Sequence, residues 1–189
     1  MLAPDVNVLV YAFREELPEH EPCRRWLDGV IRADAAFGVF DLVLSGFVRV
    51  VTHPRVFKTP SPLAAALDFV DVVRTRPNCV VVQPGLRHWG IFERLCSDAR
   101  AKGNLVADAY LAALAIESGC EWVTTDRDYR SFAGLKLHVP EVRYDLPLNG
   151  RRLVQRAEGY KHTFVSGVST FECDTYTGAK PGRLVRAGH

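Results

Sequence analysis

Over its first 140 residues the chain alternates short β-like runs with segments of helical period. That pattern belongs to a parallel sheet covered by helices on both faces. An apolar run at 2–6 reads as strand one, and the helix-like text after it is broken at Pro18. The helical period resumes from Glu21 to Ile31, with Cys23, Trp26, Leu27, Val30 and Ile31 on one face. Phe37–Phe40 reads as a strand, and Leu42–Val51 as a helix ended by Thr52-His53-Pro54. Ser61 is expected to cap a helix running through Arg74, with Pro62 at its first position. Cys79–Val82 reads as a buried strand. Arg87–Ala101 reads as an amphipathic helix with Trp89, Phe92, Leu95, Cys96 and Ala99 inward. An Ala/Leu-rich helix is expected from about Leu105 to Ser118, stopped by Gly119, and a strand at Trp122–Thr125.

From Glu141 the texture changes. Pro147, Asn149-Gly150, Gly159, Gly167, Gly178 and Pro181-Gly182 punctuate β-type runs such as Thr163–Val165 and Ser169–Phe171, and no helical period survives. The expectation is a three-layer α/β/α domain with a central parallel sheet over residues 1–140. Residues 141–189 then form a β-rich or poorly ordered appendage.

Composition narrows the function classes. No apolar run approaches the ~20 residues of a membrane span, and the first residues lack the basic-then-apolar order of a signal peptide, so a cytoplasmic protein is expected. Five cysteines, at 23, 79, 96, 120 and 173, form no C-x-x-C pair. They fit small apolar core residues better than a disulfide framework or a thiolate zinc site, with Cys173 the most exposed of them. The net charge of +2 is unevenly spread: residues 1–140 hold 16 Lys plus Arg against 17 Asp plus Glu, net −1, and residues 141–189 hold 8 against 5, net +3. Any phosphate-binding surface in the first part must therefore come from local arginines.

Three acids carry the chemical argument. Asp5 ends strand one, in a position that packing does not explain, because Asp is rarely buried without a partner. Asp108 lies in the first turn of the Ala-rich helix, and Asp126 follows strand Trp122–Thr125, with Asp128 two residues on. A βα fold brings such strand ends and helix starts to one rim. Carboxylates gathered there repel unless a cation closes them, and an all-oxygen donor set suits Mg²⁺ or Mn²⁺. Such a metal activates water and stabilises charge on a phosphoryl oxygen. Plainer readings stand beside these: Asp108 as an acid favoured by the helix dipole, Asp126 as a turn residue, and Asp128 as a solvated residue or an N-cap for Tyr129–Phe132.

In their order and spacing these residues resemble a family. D-x-N at Asp5 and Asn7, N-x-x-x-D-A-x-L-A-A-L-A from Asn104, and T-T-D-x-D-Y from Thr124 are similar to the PIN domain, above all its VapC toxin branch. The stretch Phe47–Phe57 also resembles one common in VapC sequences. The resemblance covers about residues 1–139. It implies an α/β/α fold and a Mg²⁺- or Mn²⁺-dependent endoribonuclease that cleaves RNA. It also implies a homodimer and a cognate VapB-like antitoxin that occupies the active site. Carried onto this chain, it makes Asp5, Asp108 and Asp126 metal ligands and catalytic acids, Asp128 an accessory acid, and Asn7 and Thr125 polar positioners.

The chain departs from the family pattern in one respect. Many PIN domains place a Glu after Ser in the helix following strand two, where this chain has Ser45-Gly46. Two-metal chemistry is thereby put in question, and Asp41, five residues upstream, is the nearest substitute. Arg49, His53 and Arg55 are candidate RNA-phosphate contacts; alternatively Arg49 pairs with an acid and His53 caps the helix. The run Glu15–Glu21 reads as a solvated loop or an antitoxin groove. The segments Leu146–Ala157 and Thr177–Leu184 resemble a C-terminal β-segment of amidohydrolases, without that family's metal-binding barrel, so no amidohydrolase activity is inferred. Two other functions compete: a degenerate PIN module that binds RNA or antitoxin without cutting, and a phosphatase. The second lacks the D-x-D nucleophile signature, because Asn7 holds the second acid position.

Overall fold

The alternation folds as strand and helix in turn: β1 (Leu2–Pro4), α1 (Val6–Phe13), α2 (His20–Arg32), β2 (Phe37–Phe40), α3 (Asp41–Val51), α4 (Leu63–Arg74), β3 (Cys79–Val82), α5 (His88–Asp98), α6 (Asn104–Ser118), β4 (Glu121–Val123), a 3₁₀ turn at Arg127–Ser131, and β5 (Lys136–Leu146). The computed structural model describes residues 1–146, 150–157, 162–165, 168–172, 175–179 and 181. β1 pairs in parallel with β2 and β4, β2 with β3, and β4 with β5, giving the order β3-β2-β1-β4-β5. The chain steps outward from β1 through β2 to β3, then returns across the sheet to β4. With right-handed crossovers, that reversal sends α1–α4 to one face and α5–α6 to the other. β1 and β4 flank the point where the order reverses, the place where open α/β sheets bind ligands.

Each layer has an apolar reason to form. Phe13, Phe47 and Phe69 join α1, α3 and α4 through ring centroids 5.0–5.3 Å apart. Phe40 of β2 stacks on Trp122 of β4 at 5.2 Å. α6 buries Leu111 through Ala115 without a break and ends at Gly119, whose φ of 68° a side chain would strain.

Several local expectations are corrected. β1 stops at Pro4, and Asp5 is the N-cap of α1 rather than a strand residue. Pro62, not Ser61, sits at the cap of α4, with no side-chain bond; Ser61 instead accepts from Arg14 at 2.6 Å. β3 is a half-exposed edge strand, because among the described residues no further strand pairs beyond it. Along α5 and its C-cap, Leu95 is buried and Phe92, Cys96 and Ala99 pack against the core as expected, but Trp89 points out at 60% exposure and His88 and Ile91 are buried instead. Cys23 and Cys120 are buried, and Cys79 and Cys96 half-buried, all as free thiols. Cys173 lies outside the described residues.

β5 runs across residue 140, β6 (Gly150–Ala157) lies beside it, and the first compact unit extends to Arg156. The second unit carries an antiparallel sheet, β7 (His162–Val165), β8 (Val168–Glu172) and β9 (Thr175–Tyr176), on the β-type runs seen in the sequence. Among the described residues, no helix is long and apolar enough to cross a membrane.

Candidate active site

The reversal point of the sheet holds the acids. Asp5 N–H donates to Val123 O at 2.9 Å, locking the end of β1 to the end of β4. Its carboxylate, only 5% exposed, is held from two sides. Oδ1 accepts from Val6 N–H at 2.7 Å; Oδ2 accepts from the Thr124 hydroxyl at 2.7 Å and from Asn7 Nδ2 at 3.0 Å. Asn7 Nδ2 also reaches Thr124 Oγ1 at 2.9 Å, and Asp126 N–H donates to that oxygen at 3.0 Å. One threonine hydroxyl thus ties Asp5, Asn7 and the backbone of Asp126 together.

Asp108 is the fifth residue of α6, just past the first turn, because the helix starts at Asn104, one residue earlier than expected. It meets Asp5 through Tyr129, whose hydroxyl lies 3.5 Å from Oδ1 of each. Asp126 is exposed and caps the 3₁₀ turn by accepting from Asp128 N–H at 2.9 Å, so the capping role imagined for Asp128 belongs to Asp126. Burial, above all, pushes the Asp5 carboxyl up to about 6; Asp108 and Asp126 push in the same direction, against the Thr124 and Val6 bonds. Asp108 is raised by burial first and then by Asp126 and Asp128, with Tyr129 opposing. Three acids therefore act on one another electrostatically, as their sequence positions suggested.

The other candidates divide. Asn7 is in the site. Thr125 is one residue off: Thr124 holds Asp5, while Thr125 is half-buried, and the Tyr11 hydroxyl has its pKa raised by burial first and then by Glu19, with Thr125 opposing. Asp41 is engaged elsewhere, accepting from Gln83 at 2.8 Å and facing Arg74 at 3.5 Å. Gly46 faces α1: a Cβ there would lie 3.0 Å from Val6 Cγ2, so the fourth-acid position is filled by apolar packing. Arg49 and Arg55 are exposed, and among the described residues neither forms an ion pair. His53 Nδ1 accepts from Arg55 N–H at 3.0 Å rather than capping α3. Glu15, Glu16, Glu19 and Glu21 of the acidic run are all exposed, as a solvated run would be, and His20 and Glu21 open α2.

Sequence reasoning missed Thr124, Tyr129 and Arg14. Arg14 anchors the loop after α3 through Ser61, the Thr59 carbonyl at 3.0 Å and the Phe57 ring at 4.2 Å. Thr124 and Tyr129 stood in the sequence only as the first and last residues of the T-T-D-x-D-Y stretch, with no role assigned.

The donor set fits a hard divalent cation. Among the described residues no three His, Cys, Asp or Glu side chains close into a metal cage. Mg²⁺ needs none, because it binds through one or two carboxylates and keeps several waters. Asp5 and Asp108, which share the Tyr129 hydroxyl at 3.5 Å, are the two carboxylates that could hold it. Asn7 Oδ1 is buried without a hydrogen-bond partner, an unspent oxygen beside them.

The PIN domain pattern matches residues 2–135, the span that carries this cleft. The chain belongs to the PIN-domain family. Within it the relatives are VapC ribonucleases. Ribonuclease VapC43 of Mycobacterium tuberculosis is 44% identical over 140 residues, 74% of this chain and 95% of that one. Ribonuclease VapC25 of the same organism is 41% identical over 142 residues, 75% of this chain and all of that one. The chain is a VapC-type nuclease. Solved PIN structures share the fold: the VapBC2 complex of Rickettsia felis on a promoter DNA fragment, at a TM-score of 0.57, 15% identity and coverage of 74% and 98%. The M. tuberculosis toxin VapC20, which cleaves the sarcin-ricin loop, gives a TM-score of 0.53 at 14% identity, with coverage of 71% and 98%.

Proposed function

We propose that this PIN-domain protein is the toxin of a toxin–antitoxin pair, an endoribonuclease that uses Mg²⁺ or Mn²⁺ to hydrolyse RNA phosphodiesters. The observation that carries it is the meeting of Asp5 and Asp108 on the Tyr129 hydroxyl at the reversal point of the sheet. Two raised carboxyls store repulsion that a divalent cation relieves.

In this reading Asp5 and Asp108 hold the cation, and Asp126 and Asp128, exposed at the rim, meet it or its waters. A bound Mg²⁺ or Mn²⁺ would supply Lewis acidity at a phosphoryl oxygen and a water acidic enough to attack it. Thr124 and Asn7 fix the Asp5 carboxylate so that it does not reorganise during the reaction. Thr125 serves as a polar positioner beside the site, and the exposed Arg49 and Arg55 offer phosphate contacts to RNA. This reading uses a single cation, which the 3.0 Å approach of Val6 Cγ2 to a Cβ at Gly46 supports.

The partners of this reading are RNA, a VapB-like antitoxin and a second copy of the chain. Solved neighbours include VapBC and FitAB complexes on DNA, which supports the antitoxin. The nuclease part is taken as residues 1–140 and the rest as an appendage outside the chemistry. The test is to incubate purified protein with total RNA and Mg²⁺, with Mn²⁺, and with chelator. Discrete cleavage products in both metals and none with chelator are expected. RNA binding without turnover in either metal would overturn the reading.

A further inference from the structure

The Asp5 carboxylate has about four lone-pair positions. Two on Oδ2 are filled by the Thr124 hydroxyl and Asn7 Nδ2, and one on Oδ1 by Val6 N–H, all at 2.7–3.0 Å. The fourth faces the Tyr129 hydroxyl at 3.5 Å, and the same hydroxyl is 3.5 Å from Asp108 Oδ1. Both separations exceed the usual reach of an O–H···O bond. A single proton therefore leans to one acid or the other and saturates neither.

The arm that carries this hydroxyl is rigid. Tyr129 is 1% exposed, its ring lies 5.6 Å from Trp122 and 5.9 Å from Phe132, and the 3₁₀ turn beneath it is capped by Asp126. Burial fixes the ring, and the ring fixes the oxygen.

We propose that Tyr129 is a positioning residue of the cation site: its hydroxyl holds the Oδ1 atoms of Asp5 and Asp108 about one point and, by donating to Asp108, leaves the unfilled lone pair of Asp5 to the cation. This rests on reading the cleft as a cation site. Without the hydroxyl, Asp108 loses the donor that Tyr129 offers its Oδ1, and the two carboxylates face each other with nothing between them. Loss of an outer-shell partner of this kind weakens metal binding by about 10–100-fold.

The experiment is a Mn²⁺ titration of the full chain, reading free Mn²⁺ by electron paramagnetic resonance, with no RNA present. Wild type, Tyr129→Phe and Phe132→Leu are compared, each checked for fold by circular dichroism. Tyr129→Phe keeps the ring and is expected to bind Mn²⁺ about tenfold or more weakly than wild type. Phe132→Leu loosens the same packing without touching the hydroxyl, and is expected to melt at lower temperature while keeping its Mn²⁺ affinity. Equal Mn²⁺ affinity for Tyr129→Phe and wild type overturns the role of Tyr129 and leaves the cleft standing. An equal loss in Phe132→Leu also overturns it, by making the effect one of packing. Wild-type protein that binds no Mn²⁺ overturns the cation site itself.

Discussion

The Thr124 hydroxyl donates to Asp5 Oδ2 at 2.7 Å, across 119 residues of sequence, and the same oxygen accepts from Asn7 and from the backbone of Asp126. One buried side-chain oxygen thus sets the orientation of the acid at the centre of the site and the start of the loop that carries the third acid.

Replacing Thr124 by Val keeps the shape and removes all three bonds. Buried groups left unsatisfied cost about 1–3 kcal/mol. Chemical denaturation should show a loss of that order, and Asp5, deprived of its strongest lowering contact, should ionise at a pH above its present value of about 6. Cleavage at neutral pH should fall, with part of the loss recovered at higher pH. Unchanged stability and rate would remove Thr124 from the account.

The raised pKa of Asp5 fixes the sign of a pH effect. Folded, this group holds its proton up to about 6, against 3.8 ordinarily, so the folded state binds protons more tightly than the unfolded one. Without a cation, the resulting stability is present in full below about pH 3.8 and is lost as pH rises through about 6. The difference is about 3 kcal/mol. A cation favours the ionised form, so Mg²⁺ should raise the melting temperature more at pH 7.5 than at pH 5. Melting curves at both values, with chelator and with Mg²⁺, check this; an equal Mg²⁺ effect at the two would contradict it.

Asp108 should carry a stability cost. It is half-buried, pushed up by burial and by Asp126 and Asp128. Asp108→Asn removes the charge and leaves an oxygen for Tyr129. In chelator at pH 7.5 it is expected to melt above wild type, because the neutral amide does not meet the charge of Asp126 and Asp128. A lower melting temperature would mean that the acid is structural.

Restoring an acid at position 46 should fail. The Cβ of Gly46→Glu would lie 3.0 Å from Val6 Cγ2, and Val6 follows the cap that orients Asp5. Overpacking of this kind costs about 1–3 kcal/mol. Denaturant unfolding should report that loss, and cleavage should not rise above wild type. A stable, faster variant would show that the family's fourth acid has room here.

The sequence was legible where periodicity and end signals agree. The parallel sheet, α6 with its Gly119 stop, and the gathering of Asp5, Asp108 and Asp126 all follow from such signals. It was illegible where the deciding fact is a neighbour. Trp89 and His88 both suit an inward face of α5, and only packing on α6, where His88 meets Tyr110, selects the histidine. Thr124 and Thr125 are alike as text, and which hydroxyl points to Asp5 depends on where β4 ends. β3 reads as buried because it is apolar, yet it is an edge, and no residue of its own states that.

The central claim is that Asp5 and Asp108 form a cation-dependent ribonuclease centre. Its most direct test is the rate of cleavage of a structured RNA by wild type and Asp108→Asn, in chelator and after return of Mg²⁺. The account predicts no cleavage in chelator and full recovery with Mg²⁺ for wild type. For Asp108→Asn at the same Mg²⁺ it predicts a rate at least about a hundredfold lower, some 2.7 kcal/mol of transition-state stabilisation. Cleavage that persists in chelator, or an Asp108→Asn protein that cuts at the wild-type rate, would contradict it.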